Sequence, residues 1–325
     1  MRRFAIGSAI FLGSIISIIG LFTTYHRLKL RIEKEKIVPN GRLVEVNGHK
    51  IHVYTEGDNE EAPVILFLGG SVVTAPVYDF KPVWSVLSKE YRIAVVERLG
   101  YGYSDIAVTT RDIETILSET RTALSLAGIK GPYVVCAHSL AGLESFRFAQ
   151  VSKEEVAGIV GIDMLLPEIY LEIGEELMNE IEQVRGVRKL FWMGMHRLPL
   201  PGENFQISTL ALTEQEQEQV KLLTLRNFFN DVIFKEIDYL LDNAKKVAEE
   251  GTADVPIKLL VANKQATPEL SAEWKRRQKD FANEHNVPIK FFEAGHFIHQ
   301  HKSEEVATEI REFVKGLENG EFSSV

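Results

Sequence analysis

The chain has 325 residues, 45% hydrophobic and 26% charged, with a formal net charge of −9 and a single cysteine, Cys136. That length suits one large α/β domain with an insertion or two small domains, and one cysteine rules out an intrachain disulfide. The balance is that of an ordinary globular protein, and the acidic excess argues against nucleic acid as a partner.

The first element is apolar. Residues 4–23 carry no charge over about 20 positions, roughly one bilayer crossing as a helix. Arg2 and Arg3 precede the run; Arg27, Lys29, Arg31, Lys34 and Lys36 follow it. The expected organisation is a membrane anchor over 1–23 and a basic juxtamembrane linker over 24–40. A cleaved signal peptide is the competing reading, against which stand the length of the run and the lack of an Ala-x-Ala site. Residues 1–36 hold 7 Lys and Arg against 2 Glu, net +5, and the remainder holds 30 against 44, net −14. Basic charge therefore sits beside the membrane, where anionic head groups attract it. The larger cluster lies C-terminal to the run and leans toward a cytoplasmic globular part.

Two alternating segments flank Asn47-Gly48, a hairpin signal. From residue 64 the pattern changes to short continuous apolar runs: 64–68, 91–96, 133–136, 156–162, 257–262 and 289–292. Each reads as a strand buried on both faces. Helical patterns at 77–90, 112–127, 140–151, 269–285 and 303–317 lie between them. The alternation predicts a mostly parallel sheet with helices on both faces. It breaks at 164–254, where helical stretches at 170–183, 187–196 and 213–248 suggest a helical cap inserted into a core made of 41–163 and 255–318. Residues 319–325 form a tail.

Ala137-His138-Ser139-Leu140-Ala141 lies between an apolar strand and a helix. A strand, a tight turn with a central Ser and a helix form the context of a nucleophile elbow, whose usual pattern is Gly-x-Ser-x-Gly. Both flanking residues here are Ala. The plainer reading makes Ser139 a helix N-cap. A serine nucleophile needs a base and oxyanion donors. His296 follows Gly295 directly after the last strand, with His299 and His301 as rivals. The backbone N–H of Leu140 and that of Gly70, in Phe67-Leu68-Gly69-Gly70-Ser71, are the candidate donors. Cys136 reads as a buried strand thiol. No Cys/His spacing resembles a metal site, and no organic cofactor is implied.

Leu68-Gly69-Gly70, Glu97-Arg98-Leu99-Gly100-Tyr101-Gly102-Tyr103-Ser104-Asp105, the elbow and Gly295-His296 together resemble the α/β-hydrolase superfamily over roughly residues 42–318. The second segment is similar to the family's Asp-Arg-Pro-Gly-x-Gly-x-Ser. More closely, the chain resembles membrane-anchored hydrolases of Gram-positive bacteria. These share an N-terminal anchor, a hairpin like Val44-Glu45-Val46-Asn47-Gly48-His49 and a segment like Ile162-Asp163-Met164. The family often places its acid after the strand at 257–262, but Asn263-Lys264-Gln265-Ala266-Thr267-Pro268 holds no Asp. Some members carry it after the preceding strand, which implies Asp163, with Glu168 and Glu269 as alternatives and a loop-pinning role as the bland one. The expected function is a serine hydrolase with a small acyl substrate, a carboxylic ester being the safest class. A non-catalytic ligand-binding relative, an aminopeptidase or a carbon–carbon hydrolase are the alternatives. Phe191, Trp192, Met193, Met195, Phe228 and Phe229 would line an apolar pocket or simply pack the cap.

Overall fold

A computed structural model describes residues 2–198, 207, 211–265 and 267–322. Met1, most of 199–210 within the helical interval, Ala266 of the 263–268 loop and the last three residues of the tail lie outside the described residues. The strands are β1 (Arg42–Val46), β2 (His49–Glu56), β3 (Val64–Leu68), β4 (Ile93–Glu97), β5 (Tyr133–His138), β6 (Val156–Ile162), β7 (Ile257–Ala262) and β8 (Ile289–Phe292). The helices are α1 (Arg2–Lys34), α2 (Pro76–Asp79), α3 (Lys81–Leu87), α4 (Ile113–Leu126), α5 (Ala141–Val151), α6 (Pro167–Trp192), α7 (Glu214–Asn227), α8 (Asp231–Asp238), α9 (Leu240–Glu249), α10 (Pro268–Glu284), α11 (Ile298–His301) and α12 (Ser303–Glu318).

The strands form one sheet in the order β1-β2-β4-β3-β5-β6-β7-β8. β1 pairs antiparallel with β2 and β2 with β4; every later pair is parallel. Asn47 and Gly48 both take positive φ, at 52° and 81°, which suits a two-residue hairpin. The apolar runs are continuous because helices cover both faces. Along β3, Leu66 and Leu68 join the core beneath α4 and α5, while Ile65 and Phe67 join the core beneath α3 and α12. Cys136 lies in that second core, and burial pushes its thiol up, which suits an inert packing role. From β3 the chain steps outward to β4 and then crosses to β5 on the other side. The carboxyl ends of β3 and β5 therefore border the crevice where α/β sheets hold ligands.

Several helices differ from their expected extents. α1 runs unbroken to Lys34, because the Lys-, Arg- and Leu-rich stretch after the apolar run favours helix. Among the described residues it is the helix long and apolar enough to cross a membrane. The expected helix 77–90 breaks at Phe80, since Pro82 has no N–H to continue a preceding turn. α6 is one helix of 26 residues, and Gly186 inside it is too small a cost to end it. The stretch 213–248 divides into three helices. Phe229 takes a left-handed φ of 48°, and the Asn230 side chain then caps α8 through the N–H groups of Val232 and Ile233. Thr213 and Glu216 form a capping box at the start of α7.

Candidate active site

β5 delivers Ser139 to the carboxyl edge of the sheet. Its φ of 54° is left-handed, a strained state for a non-glycine residue. The Ser139 carbonyl accepts from the N–H groups of Gly142 and Leu165, each at 3.1 Å, and its own N–H donates to Ile162 at 3.4 Å. These bonds hold the turn open toward the crevice. The close approaches that flanking glycines would normally permit are displaced to other positions. A Cβ at Gly142 would lie 2.5 Å from the Leu165 carbonyl oxygen, and one at Gly70 would lie 2.8 Å from Ser139 Cβ. Ala137 and Ala141 are tolerated because Gly142 and Gly70 make these contacts instead.

Asp163 ends β6 on a left-handed φ of 43° and is fully buried. Its Oδ2 lies 2.7 Å from His296 Nδ1 and accepts from Gln265 Nε2 at 3.2 Å. Its Oδ1 accepts from Trp274 Nε1 at 2.8 Å and from the Ala262 N–H at 2.9 Å. Three N–H donors and the His296 imidazole thus converge on one carboxylate. His296 leaves β8 through the Glu293-Ala294-Gly295 turn. Its side chain is 34% exposed, so the imidazole has one nitrogen on Asp163 and a face open to solvent. The His138 ring, next to Ser139 in sequence, lies 4.6 Å from that of His296, and His138 Nε2 contacts the His296 carbonyl at 3.3 Å. Burial, reinforced by His299 and His296, holds the His138 imidazole well below its ordinary range, so it is neutral and its Nε2 can donate to that carbonyl.

Leu140 caps α5, and its N–H opens the helix where the dipole favours negative charge. The Gly69-Gly70 loop on the opposite side is braced from below. Arg98 Nη1 donates to the Gly69 carbonyl at 2.9 Å and to Glu144 of α5 at 3.2 Å, and its Nε donates to Glu236 of α8 at 3.3 Å. Glu236 also accepts from Tyr101 at 2.6 Å and Arg111 at 3.4 Å. Burial opposes the Arg98 charge, but Glu236, Tyr101 and Glu144 outweigh it and raise its pKa. A cavity of about 30 Å³ between Leu140 and these charges has room for one water and no substrate. Helices between β6 and β7 grip the same loops. Asn227 donates to the carbonyls of Thr74 and Gly102, Arg226 to Gly102 and Ser104, and Asn230 to Gly100.

Ser139, Leu140, Gly70, Asp163 and His296 therefore gather at one end of the sheet. The other candidates do not join them. Glu168 and Glu269 are exposed in the first turns of α6 and α10, and His301 is exposed. His299 is turned away, its Nε2 2.8 Å from Asp79 Oδ2 with both side chains fully buried. Asp79, His138 and His299 place potential metal-ligating atoms within 4.8 Å of one another, but the Asp79–His299 bond already occupies two of them. Of the expected pocket wall, Phe191, Phe228 and Phe229 form one aromatic cluster, whereas Trp192 is 60% exposed on the outside. Gln265 and Trp274 escaped the sequence reading. The one available signal was a polar loop lacking the acid that it faces.

No protein-family model matches the sequence. The chain is 31% identical over 297 residues to the uncharacterised protein YbdG of Bacillus subtilis, covering 90% of each chain. Its fold is similar to that of the enol-lactonase from Burkholderia xenovorans, with TM-score 0.52 and 16% identity, covering 84% of this chain and 100% of that one. It is also similar to a mutant epoxide hydrolase from Vigna radiata, with TM-score 0.60 and 19% identity over 84% of this chain and 98% of that one. A third similar structure is an AqdC variant acting in ring-cleavage of the Pseudomonas quinolone signal, with TM-score 0.60 and 17% identity over 85% of this chain and 99% of that one.

Proposed function

This chain belongs to the α/β-hydrolase superfamily, in one family with the Bacillus subtilis protein, and we propose that it is a serine hydrolase acting on an acyl ester. The observation that carries the reading is the 2.7 Å Asp163–His296 pair at the same end of the sheet as a serine on a left-handed elbow. With Nδ1–H directed at Asp163, the other imidazole nitrogen is free to take the Ser139 proton. Ser139 Oγ attacks the acyl carbon, and the N–H groups of Leu140 and Gly70 receive the oxyanion. Collapse breaks the bond to the alcohol, which leaves with the proton held by His296. Water repeats the sequence on the acyl-enzyme and restores Ser139. Asp163 keeps the tautomer and faces the imidazolium as it forms. Residues 164–254 act as a cap over this site, a reading supported by the grip of Asn227, Arg226 and Asn230 on the core loops. Val72, two residues beyond Gly70, packs with Phe229 on the cluster of Tyr101, Ile233, Phe234 and Ile237, which offers an apolar wall for the acyl group. α1 anchors the enzyme in the membrane, supported by its uncharged run and the basic residues after it.

Ser139→Ala should bring hydrolysis of p-nitrophenyl butyrate down on the order of 10⁶-fold, as for other nucleophile deletions. Wild-type turnover in a purified variant of unchanged circular dichroism would remove Ser139 as nucleophile.

A further inference from the structure

The end of α1 that leaves the apolar run is clasped by the helical interval. Arg197 grips the Glu33 carboxylate through Nη1 at 2.9 Å and Nη2 at 2.5 Å, and its Nε donates to His26 Nδ1 at 2.7 Å. The His26 ring meets His196 edge-on at 5.1 Å. Gly194, at a φ of 92°, passes so close that a Cβ there would lie 2.6 Å from His26. The Arg27 guanidinium lies 4.0 Å from the centre of the Trp192 ring. Gln219 of α7 closes the junction, accepting from the Val38 N–H at 3.0 Å and donating to the Lys36 carbonyl at 2.9 Å.

These contacts fix the depth of the interval. The uncharged run from Phe4 to Tyr25 spans roughly 33 Å at the helical rise, about one hydrocarbon core. Arg27 therefore stands at head-group level, and so does whatever it touches. Trp192 at 60% exposure, Leu198 at 44% and Leu190 at 43% lie at or next to this junction. An exposed tryptophan is suited to the bilayer interface. Lys29, Arg31, Lys34 and Lys36 complement anionic head groups at the same level. An aromatic path runs inward from there. His196 meets Phe191 at 6.1 Å and Phe228 at 6.2 Å, both rings meet Phe229, and Phe229 packs on the same cluster of Tyr101, Ile233, Phe234 and Ile237 as Val72, two residues beyond Gly70.

We propose that the helical interval lies against the bilayer surface at Trp192 and Leu198, and that the site takes membrane-borne acyl esters of the acylglycerol type, whose chains reach Ser139 along Phe191, Phe228 and Phe229. The substrate half rests on the serine-hydrolase reading; the apposition half does not.

Two arms test it on the full chain in phosphatidylcholine–phosphatidylglycerol vesicles. With lipids brominated near the top of their acyl chains, tryptophan fluorescence should be quenched, and Trp192→Phe should remove the quenchable fraction, since Trp84 and Trp274 lie in the core and in α10. In the second arm, Arg197→Glu should lower hydrolysis of vesicle-borne 1-oleoylglycerol tenfold or more and leave p-nitrophenyl butyrate hydrolysis within twofold, by the loss of a clasp remote from the chemistry. The exchange Glu33→Arg with Arg197→Glu should restore most of the loss. Quenching that is absent or unchanged by Trp192→Phe overturns the apposition, whatever the hydrolysis shows. Equal loss on both esters, or none on either, overturns the bilayer route. A wild type that hydrolyses neither ester removes the serine-hydrolase reading and the substrate half with it, while the quenching still decides the apposition.

Discussion

Two aspartate–histidine pairs lie on either side of His138, and they are nearly equal in length: 2.7 Å for Asp163–His296 and 2.8 Å for Asp79–His299. The His138 ring is 4.6 Å from one imidazole and 4.5 Å from the other. Exposure separates them. The His296 side chain is 34% exposed, whereas His299 and Asp79 are both at 0%. The bonding is also reversed. His296 gives Nδ1 to its aspartate, while His299 gives Nε2 and keeps Nδ1 without a partner in the core. Proximity to a carboxylate therefore does not mark a base. A general base also needs a second nitrogen that a substrate proton can reach. The buried pair joins α11 to α2 and supports the floor beneath His138 and Phe80.

Substitution can break this contrast in a graded way. Asp163→Asn keeps the shape and removes the charge, and turnover should fall on the order of 10³–10⁴-fold, as for other triads. Glu269→Gln, at an exposed position, should match wild type. An inactive Glu269→Gln beside an active Asp163→Asn would move the acid to the later strand. Glu236→Ala leaves Arg98 and Arg111 each short of a buried carboxylate, and a denaturant titration should show a loss of about 3–5 kcal/mol. Because Arg98 also holds the Gly69 carbonyl, kcat should fall more than KM rises. Asp79→Asn should cost about 1–3 kcal/mol of stability by disturbing its hydrogen bonds to His299 and Gln300, with turnover within about tenfold of wild type. The smallest effect concerns pH. Burial lowers the His138 pKa in the folded chain, so stability is full above the ordinary imidazole range near 6.5 and is lost as pH falls below it. His138→Asn should flatten that fall below about pH 6.5, measured by thermal unfolding in detergent.

The strands could be read from the sequence because helices on both faces demand unbroken apolar runs, and Val64-Ile65-Leu66-Phe67-Leu68 shows this directly. Ser139 was visible through its strand–turn–helix context. Asp163 stood out because it ends a buried strand while 263–268 carries no acid. What the chain does not announce locally is partnership across long separations. His299 and Asp79 are 220 residues apart, and Trp274 reaches Asp163 from the second turn of α10 across 111 residues. Helix extents were hidden for a different reason. Amphipathic patterning continues through Phe80, where Pro82 interrupts the helix, and through Phe229, where the backbone turns left-handed. Trp192 follows Phe191 in the sequence, but neighbouring residues on a helix point about 100° apart, and this one faces outward beneath Arg27.

The most direct test of the contrast is labelling by a fluorophosphonate probe, followed by peptide mapping, on the wild type, Asp163→Asn and Asp79→Asn side by side at pH 7.5. The account predicts modification at Ser139 in the wild type and in folded Asp79→Asn at comparable rates, and labelling slowed by on the order of 10³-fold in Asp163→Asn. Equal labelling in Asp163→Asn, or loss of labelling in an Asp79→Asn protein that is still folded, would contradict it.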